Sequence, residues 1–277
     1  MFKSGKYSGF FRPTAYPGKF KGDPPLHRTA SVIIPFGGGH EYLDRLSHCL
    51  RSVRWQQKVN HSNIEVILVY LRRSSAKERS DEMDRLDELV KGKDVKIAES
   101  QKEYEHFPLC LARNIGARVA RGETLVFIDA DTVLDPEFLA RSLCQQDKLV
   151  TCWFSCLPKG HATITGAGCV RKLAKKGKIP RGAYGGGIVA PRKDVMAIRG
   201  FDEAYDGAWG ADDNDMVDRL IEHGLEWYNM TILERVVNLH QYHTSSFDKG
   251  DPGTVSNRER YSKLTTVVRN EEGWGKP

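Results

Sequence analysis

Thr124-Leu-Val-Phe-Ile-Asp-Ala-Asp131 is the stretch on which the fold turns. Thr124 to Ile128 are β-branched or large apolar residues, and Gly122 stands just before them, so they read as a buried strand. Two carboxylates follow directly. Residues two apart on an extended segment point the same way, so Asp129 and Asp131 can face one site. Two such charges at the end of a buried strand need a counter-charge. A divalent cation that favours oxygen ligands, Mg²⁺ or Mn²⁺, supplies it. Asp-x-Asp is also common as a capping pair in surface turns, and the strand before it is what favours the metal.

Working outward, Leu109 to Ala120 reads as a helix closed by Gly122. Further upstream, Ser31-Val-Ile-Ile-Pro35 is a short buried strand followed by Gly37-Gly38-Gly39. A helix begins near His40, with Leu43, Leu46, Leu50 and Val53 at helical spacing. Ile64 to Leu71 and Val95 to Ala98 read as strands, with an amphipathic helix from Ser75 to Val90 between them that Gly92 can end. Downstream, Asp135-Pro136 starts a helix, with Asp as cap and Pro at the first position. Strand and helix thus alternate. This predicts an α/β fold with a mostly parallel sheet and helices on both faces. Ligands in open sheets bind beyond the carboxyl ends of strands. Pro35-Phe36-Gly37 and Asp129-Ala130-Asp131 lie at two such ends and point at one crevice.

The second half is less regular. Arg171 to Arg181 is basic without an acid and reads as an exposed loop, able to close over a bound ligand as lids do. Tyr184 to Ala190 reads as a strand whose glycines admit a close backbone approach. Asp212 to His223 reads as a helix closed by Gly224, with strands following to Leu239. The helix opens on Trp209-Gly-Ala-Asp-Asp-Asn-Asp215. The helix dipole accounts for acids there, but not for the Trp-Gly before them. An exposed indole beside carboxylates suits a sugar ring. In Leu239-His-Gln-Tyr-His243, either imidazole can ligate Mn²⁺. On a strand the two would face opposite ways unless the chain turns, so one ligand is the safer expectation.

Length and composition set bounds. The chain has 277 residues, enough for one large α/β domain with extensions. Residues 1–30 read as an extended basic arm and residues 246–277 as a polar, peripheral C-terminal extension. No apolar run is long enough to span a membrane, and the N-terminal stretch lacks the apolar centre of a secretory signal. A cytoplasmic protein, or one held on a membrane face by charge, is expected. Six scattered cysteines without such a signal read as free thiols. The net charge of +6 suits anionic partners without choosing among them.

Taken in order, these pieces resemble glycosyltransferases of the family 2 type and, in the second half, the beta-1,4-galactosyltransferase type. Val32-Ile-Ile-Pro-Phe36, Ala112-Arg-Asn-Ile-Gly116 and Leu125 to Asp131 look like the nucleotide-binding strand, the helix before the metal motif and the metal strand. Gly185 to Ala190, Gly200-Phe-Asp202, Trp209 to Asp215 and His240 to His243 look like the acceptor signature and the last metal-ligand segment. The resemblance covers roughly residues 31 to 245. It implies a GT-A type domain with a nucleotide-sugar-binding half (31–134) fused to an acceptor half (135–245). It implies that Asp131 and His243 hold Mn²⁺ or Mg²⁺, with Asp129 and His240 able to join. Pro35, Phe36, Arg113, Asp129, Ala130, Asp131, Gly187, Trp209 and Gly210 would lie at the donor, UDP-sugar being favoured. Trp209, Asp212 and Asp213 would lie at the acceptor, with Asp213 the catalytic base of an inverting transfer to a glycan hydroxyl. Two departures stand out. The galactosyltransferases carry basic residues where this chain has three glycines after Phe36, and Glu where it has Asp212.

Three rival readings use the same residues. A nucleotidyltransferase needs carboxylates and a metal but not the Trp-Gly acidic helix. A transferase acting on nucleic acid bases would use the basic arm, its aromatics and residues 171–182 against phosphates. A non-catalytic glycan-binding module would have no need of Asp131, Asp213 and His243.

Overall fold

The computed structural model describes residues 10–11, 30–72, 76–91, 95–161, 163–182, 184–244, 250–263 and 265–276. In the first half, β2 (Ala30–Phe36), α1 (His40–Arg54), β3 (Ile64–Arg72), α2 (Ala76–Val90), β4 (Val95–Glu103), α3 (Leu109–Val119) and β5 (Thr124–Phe127) alternate as the sequence predicts. β1 is Phe10–Phe11. Then come β6 (Thr132–Val133), α4 (Phe138–Leu143), β7 (Leu149–Thr151), β8 (Phe154–Cys156), α5 (Ala167–Ala174), β9 (Ile179–Pro180), β10 (Ile188–Pro191), α6 (Arg192–Ala197), α7 (Asp212–Glu222), β11 (Trp227–Asn229), α8 (Met230–Glu234), β12 (Asn238–His240) and α9 (Pro252–Lys263).

Seven strands form the main sheet in the order β11-β7-β10-β5-β2-β3-β4. β2 runs parallel to β3 and β5, and β3 to β4. β10 is antiparallel to both β5 and β7, and β11 is parallel to β7. A small sheet, β6-β12-β8, stands beside it. Alternation sorts the strand residues onto two faces. Ile33, Ile67, Leu125 and Phe127 pack with Ala112 and Ile115 of α3. Val32, Ile34, Leu68 and Val126 pack with Leu43, Leu46, Leu50 and Val53 of α1. Helices thus cover both faces of a mostly parallel sheet. Gly116 lets α3 lie this close: a Cβ there would sit 2.4 Å from Ile33 Cγ2.

Four sequence expectations need correction. α4 begins at Phe138, three residues after Asp135, which closes a turn instead: its carbonyl accepts from Phe138 N and its Oδ1 from Glu137 N. The basic stretch 171–181 is not an exposed loop. Its first residues belong to α5, where Val170, Leu173 and Ala174 are buried, and Arg171 grips Asp135 through two nitrogens at 2.7 and 2.9 Å. A segment pinned in this way is poorly suited to act as a lid. Tyr184–Gly186 is a 3₁₀ turn, and the strand starts only at Ile188. The C-terminal residues are not peripheral. Arg260 binds Asp202, Arg269 binds Asp215, and Trp274 is 8% exposed. Most of the N-terminal arm lies outside the described residues. Phe10 and Phe11 pair with Ile179 and Pro180. All six cysteines are free. Among the described residues no helix is long and apolar enough to cross a membrane.

Candidate active site

Two clusters meet beyond the carboxyl end of β5. The first is centred on Asp131. Its Oδ2 lies 3.4 Å from His240 Nε2 and 3.1 Å from His243 Nε2. β12 ends at His240, so the rule that residues three apart on a strand diverge does not apply, and both imidazoles reach the same carboxylate. One ligand atom from each of the three residues fits within a 4.8 Å group. The arrangement suits a divalent ion. Asp131 Oδ1 is buried and has no hydrogen-bond partner among the described residues, a costly state that a cation relieves. Ligands sharing an ion at about 2.1 Å lie roughly 3.0–3.4 Å apart, the spacing seen here. His243 Nδ1 is 3.0 Å from the Thr244 carbonyl, so it donates there and leaves Nε2 facing the cluster. Two imidazoles and a carboxylate suit Mn²⁺ better than Mg²⁺.

Burial pushes the Asp131 carboxyl up, but the His243 hydrogen bond and the nearby His240 outweigh it, and the group stays below its ordinary range. The same hydrogen bond raises His243.

The second cluster is centred on Arg113 of α3, whose side chain is 3% exposed. Its Nη2 donates to Asp129 Oδ1 at 2.8 Å. Its Nη1 donates to Asp212 Oδ2 at 2.9 Å and to Asp213 Oδ1 at 2.8 Å. The guanidinium lies over the Phe201 ring at 4.7 Å. One cation therefore serves three carboxylates. Burial pushes Asp213 up to about 7, with Asp212 and Asp129 adding to the rise against the pull of Arg113. Burial also raises Asp129. Asp129 and Asp131 do not point together: β5 stops at Phe127, the chain turns, and each carboxylate finds its own partner.

The remaining sequence candidates fall around these clusters. Pro35 and Phe36 end β2, and the Phe36 ring is buried against Tyr70 rather than open to the cleft. Gly39 N donates to the buried carboxylate of Glu82, and a Cβ on Gly38 would meet that carboxylate at 2.8 Å. Gly38 and Gly39 thus sit against an acid that sequence reading did not single out, while Gly37 lies against the Phe107 ring. Ala130 lies in the turn between the two acids. Gly187 faces the Phe138 ring, where a Cβ would come within 2.8 Å. Trp209 is 56% exposed, and Gly210 and Ala211 carry positive φ just before α7. Gly185, also missed as a separate candidate, sits between the carboxylates: a Cβ there would lie 2.9 Å from Asp129 Oδ2 and 3.3 Å from Asp213 Oδ2. Its signal was the run of three glycines.

Residues 31–148 match the glycosyl transferase family 2 family, and residues 170–244 match the family described as the N-terminal domain of galactosyltransferase. No curated protein sequence matched the chain. Among solved structures, S. aureus TarS 1-349 in complex with UDP shares 13% identity at a TM-score of 0.51, over 77% of this chain and 60% of that one. The mannosyltransferase PcManGT from Pyrobaculum calidifontis, in complex with GDP-Man and Mn²⁺, shares 16% at 0.53, over 87% and 66%. GalNAc-T7 with UDP, GalNAc and Mn²⁺ shares 19% at 0.58, over 84% and 47%. The chain thus spans between about half and two thirds of these proteins, and at such identities they speak for the fold. The chain thus has the mostly parallel α/β fold of the GT-A type, with a segment similar to the family 2 glycosyl transferases in its first half and one similar to the galactosyltransferases in its second.

Proposed function

We propose that the protein is a metal-dependent inverting glycosyltransferase that moves a sugar from a nucleotide-sugar, a UDP-sugar first among them, to a hydroxyl of a glycan acceptor. The observation that carries this is the Arg113 bridge. One guanidinium holds Asp129 from the strand end and Asp213 from the opening turn of α7. Asp129 stands two residues from Asp131 and within electrostatic reach of His240, which supports a base and a metal site at one cleft.

Asp213 would take the proton from the acceptor hydroxyl as its oxygen attacks the anomeric carbon. A carboxyl raised to about 7 is well matched to that task at neutral pH. A single displacement needs one base and no protein nucleophile, which gives inversion. Arg113 fixes the base and offsets the charge around it. Asp212 and the exposed Trp209 stand where an acceptor sugar could be hydrogen-bonded and stacked. Asp131, His240 and His243 would hold the cation. When bound, the cation supplies Lewis-acid neutralisation of the departing diphosphate. The UDP and GDP-mannose complexes of the structural neighbours support a nucleotide diphosphate donor. Neither nucleotidyl transfer nor a nucleic acid acceptor gains support from the comparisons.

The test is nucleotide release from a panel of UDP- and GDP-sugars in Mn²⁺, Mg²⁺ or EDTA. We expect Mn²⁺-dependent release from one donor, lost in Asp131→Ala. No release and no donor binding under any metal would overturn the proposal. Glycans and DNA offered side by side then decide the acceptor.

A further inference from the structure

His240 and His243 converge on one carboxylate because the chain turns at Gln241. This side chain is 3% exposed and uses every polar atom it has. Its backbone N–H donates to the Asp131 carbonyl at 3.1 Å. Its Nε2 donates to that same carbonyl at 3.1 Å and to the Arg45 carbonyl at 3.0 Å. Its Oε1 accepts from His48 Nδ1 at 2.8 Å. Two carbonyls against the nitrogen and an imidazole N–H against the oxygen leave one sensible orientation for the amide. Arg45 and His48 are three residues apart on α1, the helix that follows the first strand of the sheet. Arg45 also returns a bond, donating from Nε to the Tyr242 carbonyl at 3.2 Å. A single buried amide thus ties α1, the backbone of Asp131 and the segment bearing both histidines into one unit.

We infer that Gln241 is the positioning residue of the metal site: it sets the spacing between the Asp131 carboxylate and the two imidazoles, and through that spacing the affinity for the ion. The inference rests on the metal reading of Asp131, His240 and His243. The Gln241 side chain offers the ion no atom, since both polar atoms of its amide are taken. It acts through the ligands it holds. Outer partners of this kind change metal affinity by about 10–100-fold when removed.

The competing role is purely structural, a buried amide that only holds the fold. Gln56 provides the comparison. It is 4% exposed, its Nε2 donates to the Ser52 and Asp135 carbonyls at 3.2 and 2.8 Å, and its Oε1 accepts from Leu139 N at 2.8 Å. It makes the same kinds of bonds just past the C-terminal end of α1 and touches no ligand of the triad.

The experiment titrates Mn²⁺ into the whole protein without donor, reading free Mn²⁺ by electron paramagnetic resonance. Thermal melts in EDTA accompany it. Gln241→Met and Gln56→Met each remove the amide at nearly constant volume. Both should lower Tm, but only Gln241→Met should weaken Mn²⁺ binding, by about 10–100-fold. His48→Ala removes the Oε1 contact alone from a half-buried position and should weaken binding several-fold even where Gln241→Met does not fold. Equal losses in the two methionine variants, or unchanged affinity in both Gln241→Met and His48→Ala, overturn the inference. Absence of Mn²⁺ binding by the unsubstituted protein overturns the metal reading, and this inference with it.

Discussion

Replacing Asp213 by Asn should make the protein more stable while nearly abolishing transfer. The carboxyl is pushed from 3.8 to about 7 by burial and by Asp212 and Asp129. Between about pH 4 and pH 7 the folded chain therefore keeps a proton that the unfolded chain has released, so stability falls as pH rises through that window and levels off above it. About three pKa units at about 1.4 kcal/mol each put the cost of ionised Asp213 on the order of 4 kcal/mol. The side chain is 21% exposed, and Asn gives up the charge-assisted bond to Arg113, so the gain expected in alkaline buffer is about 1–4 kcal/mol. Asn keeps the shape and can still accept from Arg113. The assay is urea unfolding of both proteins in EDTA at several values between about pH 5 and pH 8, with turnover measured in parallel. The stability difference should grow with pH up to about 7 and then flatten, while kcat falls by about 10²–10⁴-fold. A variant that loses stability by the same amount at every pH, or that keeps its turnover, refutes the assignment of a strained base.

Arg113→Met leaves three carboxylates without their cation. It should cost about 3–5 kcal/mol in alkaline buffer and clearly less under acidic conditions, where those groups take up protons; a pH-independent loss in chemical denaturation would contradict this. Trp274→Ala removes a buried indole packed near Gly200 and over Arg118. A loss of about 3–5 kcal/mol is expected, and an unchanged Tm would restore the peripheral reading of the C-terminus.

The strands and helices of the first half were legible because each shows a strong local period. Val32 to Ile34 and Val66 to Leu71 are unbroken apolar runs, and Leu43, Leu46, Leu50 and Val53 mark one helix face; each lies within a residue or two of the observed element. α5 was missed because its end merges into the basic run: Lys172 is followed by exposed Lys175, Lys176 and Lys178, which mask the short inner face of Val170, Leu173 and Ala174. The packed C-terminus was missed because its anchors, Arg260, Arg269 and Trp274, are single residues without periodicity. At the site, Asp131 and His243 each sit in a short local pattern. The role of Arg113 does not: its partners come from residues 129, 212 and 213, and only the folded chain brings them together. The histidine pair turned on where β12 stops, which a rule about strand faces cannot supply.

The placement of β10 has a consequence for how the chain is made. β5 gains its second neighbour only from residues 188–191, and the far strand, β11, comes from residues 227–229. While the ribosome is still working through the intervening segment, the emerged chain carries β5 with one edge unpaired, the kind of surface that invites aggregation. A fragment ending near residue 148 keeps that edge for good. The segment that resembles the family 2 enzymes is therefore not a self-sufficient unit of synthesis, and closure of the sheet must wait until residues 188–229 have left the ribosome.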